Sequence, residues 1–157
     1  MQTLNSFLID WIVRFLENKD VIRKNISKIE KNEKGFVVHY KNGVKNFVVE
    51  KNLNREILDK IKQSDTVKVI TINNKENTKF IIDKWKELAK FSSLNIYLIN
   101  PFSKADKVWI IHPYIHDKIC DSNSLELGIK TMAEMVEAID EQKLEQLIKL
   151  KTKESGQ

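Results

Sequence analysis

A single cysteine, Cys120, is all the thiol chemistry in the 157 residues, so no intrachain disulfide can form. That composition fits a reducing, cytoplasmic compartment. Glycine is scarce at four residues and proline at two. With neither a Gly-x-Gly-x-x-Gly run nor a Walker loop, little material remains for a phosphate-cradling turn. The absence of a Ser/Gly nucleophile elbow likewise disfavours an α/β-type hydrolase. No apolar run approaches the roughly 18 residues that a bilayer span needs, so no membrane partner is expected. The opening, Met1 to Arg14, lacks a basic leader and a small-residue cleavage site, and Asp10 interrupts its apolar stretch; a secretory signal is not expected. Arginine is rare too, with Arg14, Arg23 and Arg55 the only three among 27 basic side chains.

What is present is ordinary material for a folded domain, 41% apolar and 31% charged. The length suits one hydrophobic core, so residues 1–150 read as a single α/β domain and 151–157 as a polar tail that frays. Residues 1–64 hold 13 basic and 8 acidic side chains, residues 65–120 hold 9 and 6, and residues 121–157 hold 5 and 8. The body is therefore basic and the tail acidic. Lys and Arg that contact phosphates release counterions, which makes DNA or RNA a candidate partner. The residues that could supply such contacts are Arg14, Lys19, Arg23, Lys24, Lys45, Lys51, Lys68 and Lys75. A plain solvated lysine surface is the competing reading, because lysine lacks the bidentate fork of arginine. Tyr97 and Trp109 could stack on bases, although their strand setting favours core packing.

Hydrophobic periodicity orders the chain. Leu4, Phe7, Leu8, Trp11, Ile12, Phe15 and Leu16 recur at helical spacing, predicting a helix over 4–18 with Thr3 as its cap. Ile26 to Ile29 begins a strand, and 36–40 and 47–49 flank Asn42-Gly43 as a hairpin. A type I′ turn at Asn42-Gly43 would set Val38 opposite Phe47 and Phe36 opposite Val49 on the core face. A short helix over 54–62 turns Ile57, Leu58 and Ile61 inward, and Thr66 to Ile72 reads as an interior strand. Asn74 caps a helix over 76–91 with Phe80, Ile81, Trp85, Leu88 and Phe91 in one stripe and Lys79–Asp83 and Lys84–Glu87 pairs on its wet side. Strands follow at 94–99 and 107–111, the first closing a right-handed crossover. A C-terminal helix starts near Asn123, boxed with Glu126. Its seam of Leu125, Ile129, Met132, Val136 and Ile139 allows either packing on the sheet or a homodimer or protein partner through residues 125–150. The expected fold is α/β: a single three-layer domain with a central mixed β-sheet, an N-terminal helix, an early β-hairpin and a C-terminal helix.

Three groups of residues bear on chemistry. His112, His116 and Cys120 recur at four-residue steps beside Asp117 and Asp121, which is a possible zinc set or Cys–His pair. The favoured reading is that they cap and pack an element, so no metal is assigned to them. Gly35-Phe36-Val37-Val38-His39-Tyr40, followed by Asn46-Phe47-Val48-Val49-Glu50-Lys51-Asn52, forms the second group. The third, Thr71-Ile72-Asn73-Asn74-Lys75-Glu76, places a lysine after a strand without a carboxylate two residues before it.

The order of an N-terminal helix, three strands with a hairpin, a helix and a further strand, together with Glu50-Lys51, resembles the restriction-endonuclease-like PD-(D/E)xK superfamily. The resemblance implies a nuclease scaffold with Glu50 and Lys51 at the catalytic positions and Mg²⁺ as the cofactor. Here the two are adjacent, so a regular strand sends them to opposite faces. Val37 and His39 stand where the resemblance implies an acid; Glu30, Glu33 or Asp10 would have to replace it. The first reading is accordingly a non-catalytic nucleic-acid-binding or assembly domain without a cofactor. A Mg²⁺-dependent nuclease is the alternative.

Overall fold

The computed structural model describes residues 3–64 and 67–155. Helix α1 (Leu4–Lys19) starts where predicted, with Thr3 Oγ1 accepting the Ser6 amide at 3.0 Å. It ends at Asp20, whose two carboxylate oxygens accept the amides of Asn25 and Ile26 at 2.8 Å each. Lys24, at φ 50°, turns the chain into β1 (Ile26–Lys31). β2 (Gly35–Tyr40), β3 (Gly43–Val49), β4 (Val67–Ile72), β5 (Asn95–Ile99) and β6 (Val108–Ile111) complete one six-stranded sheet in sequence order. The β1–β2, β2–β3 and β5–β6 pairs are antiparallel; β3–β4 and β4–β5 are parallel. The mixed sheet and flanking helices agree with the expected α/β class.

The hairpin register differs from the prediction by two residues. Tyr40 pairs with Gly43, Val38 with Lys45 and Phe36 with Phe47, so the turn is Lys41-Asn42. Neither turn residue takes a positive φ; Gly43 does, at 152°. Glycine's freedom is thus used at the first residue of β3 rather than inside a type I′ turn. A shift of two keeps the same side chains inward, and it sets Phe36 and Phe47 face to face with ring centroids 4.7 Å apart.

Helices α2 (Arg55–Lys62), α3 (Lys75–Asp83), α4 (Trp85–Leu88) and α6 (Leu125–Ala133) pack on one sheet face, around Val69, Ile96, Leu98 and Trp109. α1 and α7 (Glu141–Ser155) pack on the other, around Phe36, Val38, Phe47, Ile70, Ile72 and Ile99. α5 (Pro113–Ile119) sits beside α4, with Trp85 Nε1 donating to Asp117 at 2.9 Å. The predicted helix over 76–91 breaks at Lys84, and its two surface pairs do not form. Thr66, expected to open β4, lies outside the described residues, as do 156–157 of the tail. Residues 151–155 continue α7.

The C-terminal seam is divided. α6 stops at Ala133 and the chain turns through 134–140 before α7 begins. Ile129 and Val136 are buried on the α2 side of the sheet and Ile139 on the α1 side, so these seam residues pack inside their own chain. Asn123 does not cap α6; its amide is bound by Asp121, and Glu126 pairs with Lys130 at 2.8 Å.

Candidate nucleic-acid interface

The two ends of the sheet carry different chemistry. At one end β3, β4 and β5 terminate. The Glu50 amide donates to the Ile70 carbonyl at 2.8 Å, so the strand direction persists through that residue. Glu50 Oε2 lies 3.4 Å from Lys60 Nζ on α2, whereas Lys51 Nζ lies 2.7 Å from Glu141 Oε1 on α7. The neighbours therefore engage helices on opposite faces. The hydrogen bond from Lys51 holds the Glu141 carboxyl below the usual carboxylate range. The acids considered as substitutes are engaged elsewhere: Asp10 with Lys31 at 2.9 Å, and Glu30 with Lys28 at 2.5 Å. His39 Nε2 lies 3.8 Å from Glu30, and the Glu33 carbonyl accepts from Asn5 at 2.7 Å. Among the described residues, no group of three or more His, Cys, Asp or Glu side chains is placed to hold a metal ion. An open cleft of about 630 Å³ at this end is lined by Asn52, Asn74, Lys75 and the start of α7.

Three buried asparagines organise the loops around that cleft. Asn73 donates to the carbonyls of Ala133 and Val136, at 3.0 and 2.8 Å, and accepts from Trp109 Nε1 at 2.7 Å. Asn77 donates to the carbonyls of Lys51 and Ile72, at 3.0 and 2.8 Å, and accepts from the Leu53 amide. Asn100 ties the Glu137 carbonyl to the Phe102 amide. Each satisfies backbone groups that leave the sheet ladder, which is what buried polar side chains must do. Sequence reasoning assigned Asn74 a role and missed these three. The available signal was Asn73-Asn74-x-x-Asn77 directly after a β-branched strand.

The opposite end is basic. α1 finishes there at Lys19, and Arg23 and Lys24 lead into β1; the hairpin tip brings Lys41 and Lys45 alongside, since Tyr40, closing β2, pairs with both Ile26 and Gly43. Among the described residues none of these five cations forms an ion pair, and Asp20, the acid nearest in the chain, is occupied by the two amides it caps. Lys19 sits over the Phe15 ring at 4.7 Å and Lys45 over Tyr40 at 5.1 Å. Two exposed β-branched residues, Ile22 (93% exposed) and Val44, flank the same cations. Of the predicted phosphate contacts, Lys19, Arg23, Lys24 and Lys45 converge here. Lys51 and Lys75 lie at the other end, roughly 20 Å away by strand length, and Arg14 stands on the exposed side of α1.

Lys68 departs from its expected role as a solvated contact. Only 7% exposed, it lies on the α1 side of β4, and its ammonium donates to the Ser93 carbonyl. Burial, with Lys45 nearby, lowers its pKa. Tyr97, two residues beyond Lys68's partner Asn95, is pushed up to about 12 by burial and by Tyr40. Trp109 is a core residue, as its strand setting indicated.

His112 and His116 serve the backbone. His112 Nε2 meets the Ser92 carbonyl at 2.8 Å and His116 Nδ1 the His112 carbonyl at 3.0 Å. Cys120 is exposed at the end of α5. No helix among the described residues is long and apolar enough to cross a membrane. Compared with models of known families, with curated proteins and with solved structures, the chain matches none.

Proposed function

We propose that this chain is a non-catalytic nucleic-acid-binding domain on a restriction-endonuclease-like scaffold, docking through the basic end of its sheet. The observation that carries this reading is the gathering of Lys19, Arg23, Lys24, Lys41 and Lys45 at one end, without ion pairs among the described residues. Cations left unpaired in this way keep their counterions until a polyanion displaces them. The scaffold assignment is supported by α1-β1-β2-β3-α2-β4 in that order, with β3 and β4 parallel. Binding is favoured over cleavage because Glu50 and Lys51 face different layers.

Fluorescence anisotropy with labelled oligonucleotides tests the proposal. Affinity should fall steeply with salt, and Lys24→Glu with Lys45→Glu should weaken it about tenfold or more. Lys75→Glu, at the other end, should change it less than about twofold. No binding at low salt, or equal losses at both ends, overturns the proposal.

A further inference from the structure

We propose that the basic end takes single-stranded rather than duplex nucleic acid, seating one nucleotide on the sheet surface formed by Tyr40, Lys68, Asn95 and Tyr97. This inference rests on the reading above and names its substrate class.

The four side chains share a face. Lys68 pairs with both Phe47 and Asn95, Tyr97 follows Asn95 by two residues, and Tyr40 continues the row of Phe36 and Val38. Ile110, opposite Tyr97 on β6, keeps 38% of its surface exposed, so the helical layer leaves this corner open. α7 sits at the far end of the same face, where Glu141 meets Lys51.

The polar groups here are poorly used by the fold. Lys68 has three donors and spends one on a carbonyl; among the described residues no carboxylate neutralises it. Asn95 Oδ1 is shielded from solvent and meets no donor among the described residues. A buried ammonium without an acid lowers stability relative to an apolar residue, so packing does not explain it. An under-used donor beside an unmet acceptor suits a base edge, which presents a carbonyl and an N–H together. Tyr97 and Tyr40 add ring surface on which a base can stack.

Shape decides between strands. Duplex readout needs an element that protrudes into a groove. Tyr40 and Tyr97 are half-buried on a sheet face at the hairpin end, with Lys45 over the Tyr40 ring; an unstacked base that displaces Lys45 can present a flat face there, which a stacked base pair cannot. Arg23 is the only arginine at this end, so the fork that reads guanine in duplexes is nearly absent.

The test titrates the full chain into a labelled oligothymidine, the matching duplex and phosphatidylserine vesicles under one buffer. The single strand should bind at least about tenfold tighter than the duplex. Lys68→Met and Tyr40→Ala should each weaken single-strand binding about fivefold or more. Lys68→Met should retain a melting temperature at or above the parent's, which separates lost contact from lost folding; Tyr40→Phe should recover most of the affinity. Equal or tighter duplex binding, or unchanged affinity in Lys68→Met, overturns this inference and leaves the proposed function standing. Binding to vesicles alone overturns both and makes the surface a membrane contact.

Discussion

Glu50 and Lys51, joined by one peptide bond at the end of β3, hold partners on opposite sides of the sheet: Lys60 on α2 and Glu141 on α7. A cation held jointly by a carboxylate and positioned beside a lysine needs those groups on one side. Purified protein with Mg²⁺ should therefore leave single and double strands intact, and Glu50→Ala should bind nucleic acid like the parent. Magnesium-dependent cleavage that Glu50→Ala abolishes would make the chain a nuclease. Stability should change by less than about 1 kcal/mol in Lys51→Ala, because the ion pair is partly solvated.

Gly35 offers a sharper stability test. A Cβ built on it would lie 1.9 Å from the Phe47 carbonyl oxygen, a backbone atom that cannot move without breaking the β2–β3 register. Gly35→Ala should lose about 3 kcal/mol in urea unfolding. A loss below about 0.5 kcal/mol would mean that this strand pair is not packed as described.

Adjacent asparagines should behave differently. Asn73→Ala strands the buried Trp109 indole N–H and removes the donors to the buried Val136 carbonyl and the part-buried Ala133 carbonyl, and should cost about 2–4 kcal/mol. Asn74→Ala removes only the cap on Asn77, which is worth about 1 kcal/mol. Equal losses in chemical denaturation would contradict the loop-fixing role of Asn73.

Periodicity made most elements legible, because burying an apolar face requires a repeat that the sequence displays. Ile57, Leu58 and Ile61 are inward as read, and the alternation separating Glu50 from Lys51 needed no coordinates. Register was not legible: a period of two is blind to a shift of two, and Gly43's φ decides it. The helix break at 134–140 was hidden for a related reason. Val136 and Ile139 continue the heptad spacing by coincidence of step, yet they bury on different faces after the chain turns, with Asp106 bridging to Val136. Lys68 was misread as solvated because a lysine between Val67 and Val69 looks like any charged strand position. Its burial depends on strands β3 and β5 arriving on both sides.

Lys68 and Tyr97 should leave opposite marks on the pH dependence of stability. Lys68 has a folded pKa below its ordinary 10.5, so between those two values the unfolded chain binds more proton and stability rises with pH. Tyr97 moves from 10.0 to about 12, so its contribution is present below 10 and is lost as pH climbs towards 12. Urea unfolding of Lys68→Met should show a gain in stability near neutrality and a flatter approach to pH about 10. Tyrosinate absorbance should show one group ionising near 12 that disappears in Tyr97→Phe. A Lys68→Met protein less stable than the parent would mean that the ammonium is a structural necessity, and the case for a ligand-facing lysine would fail with it.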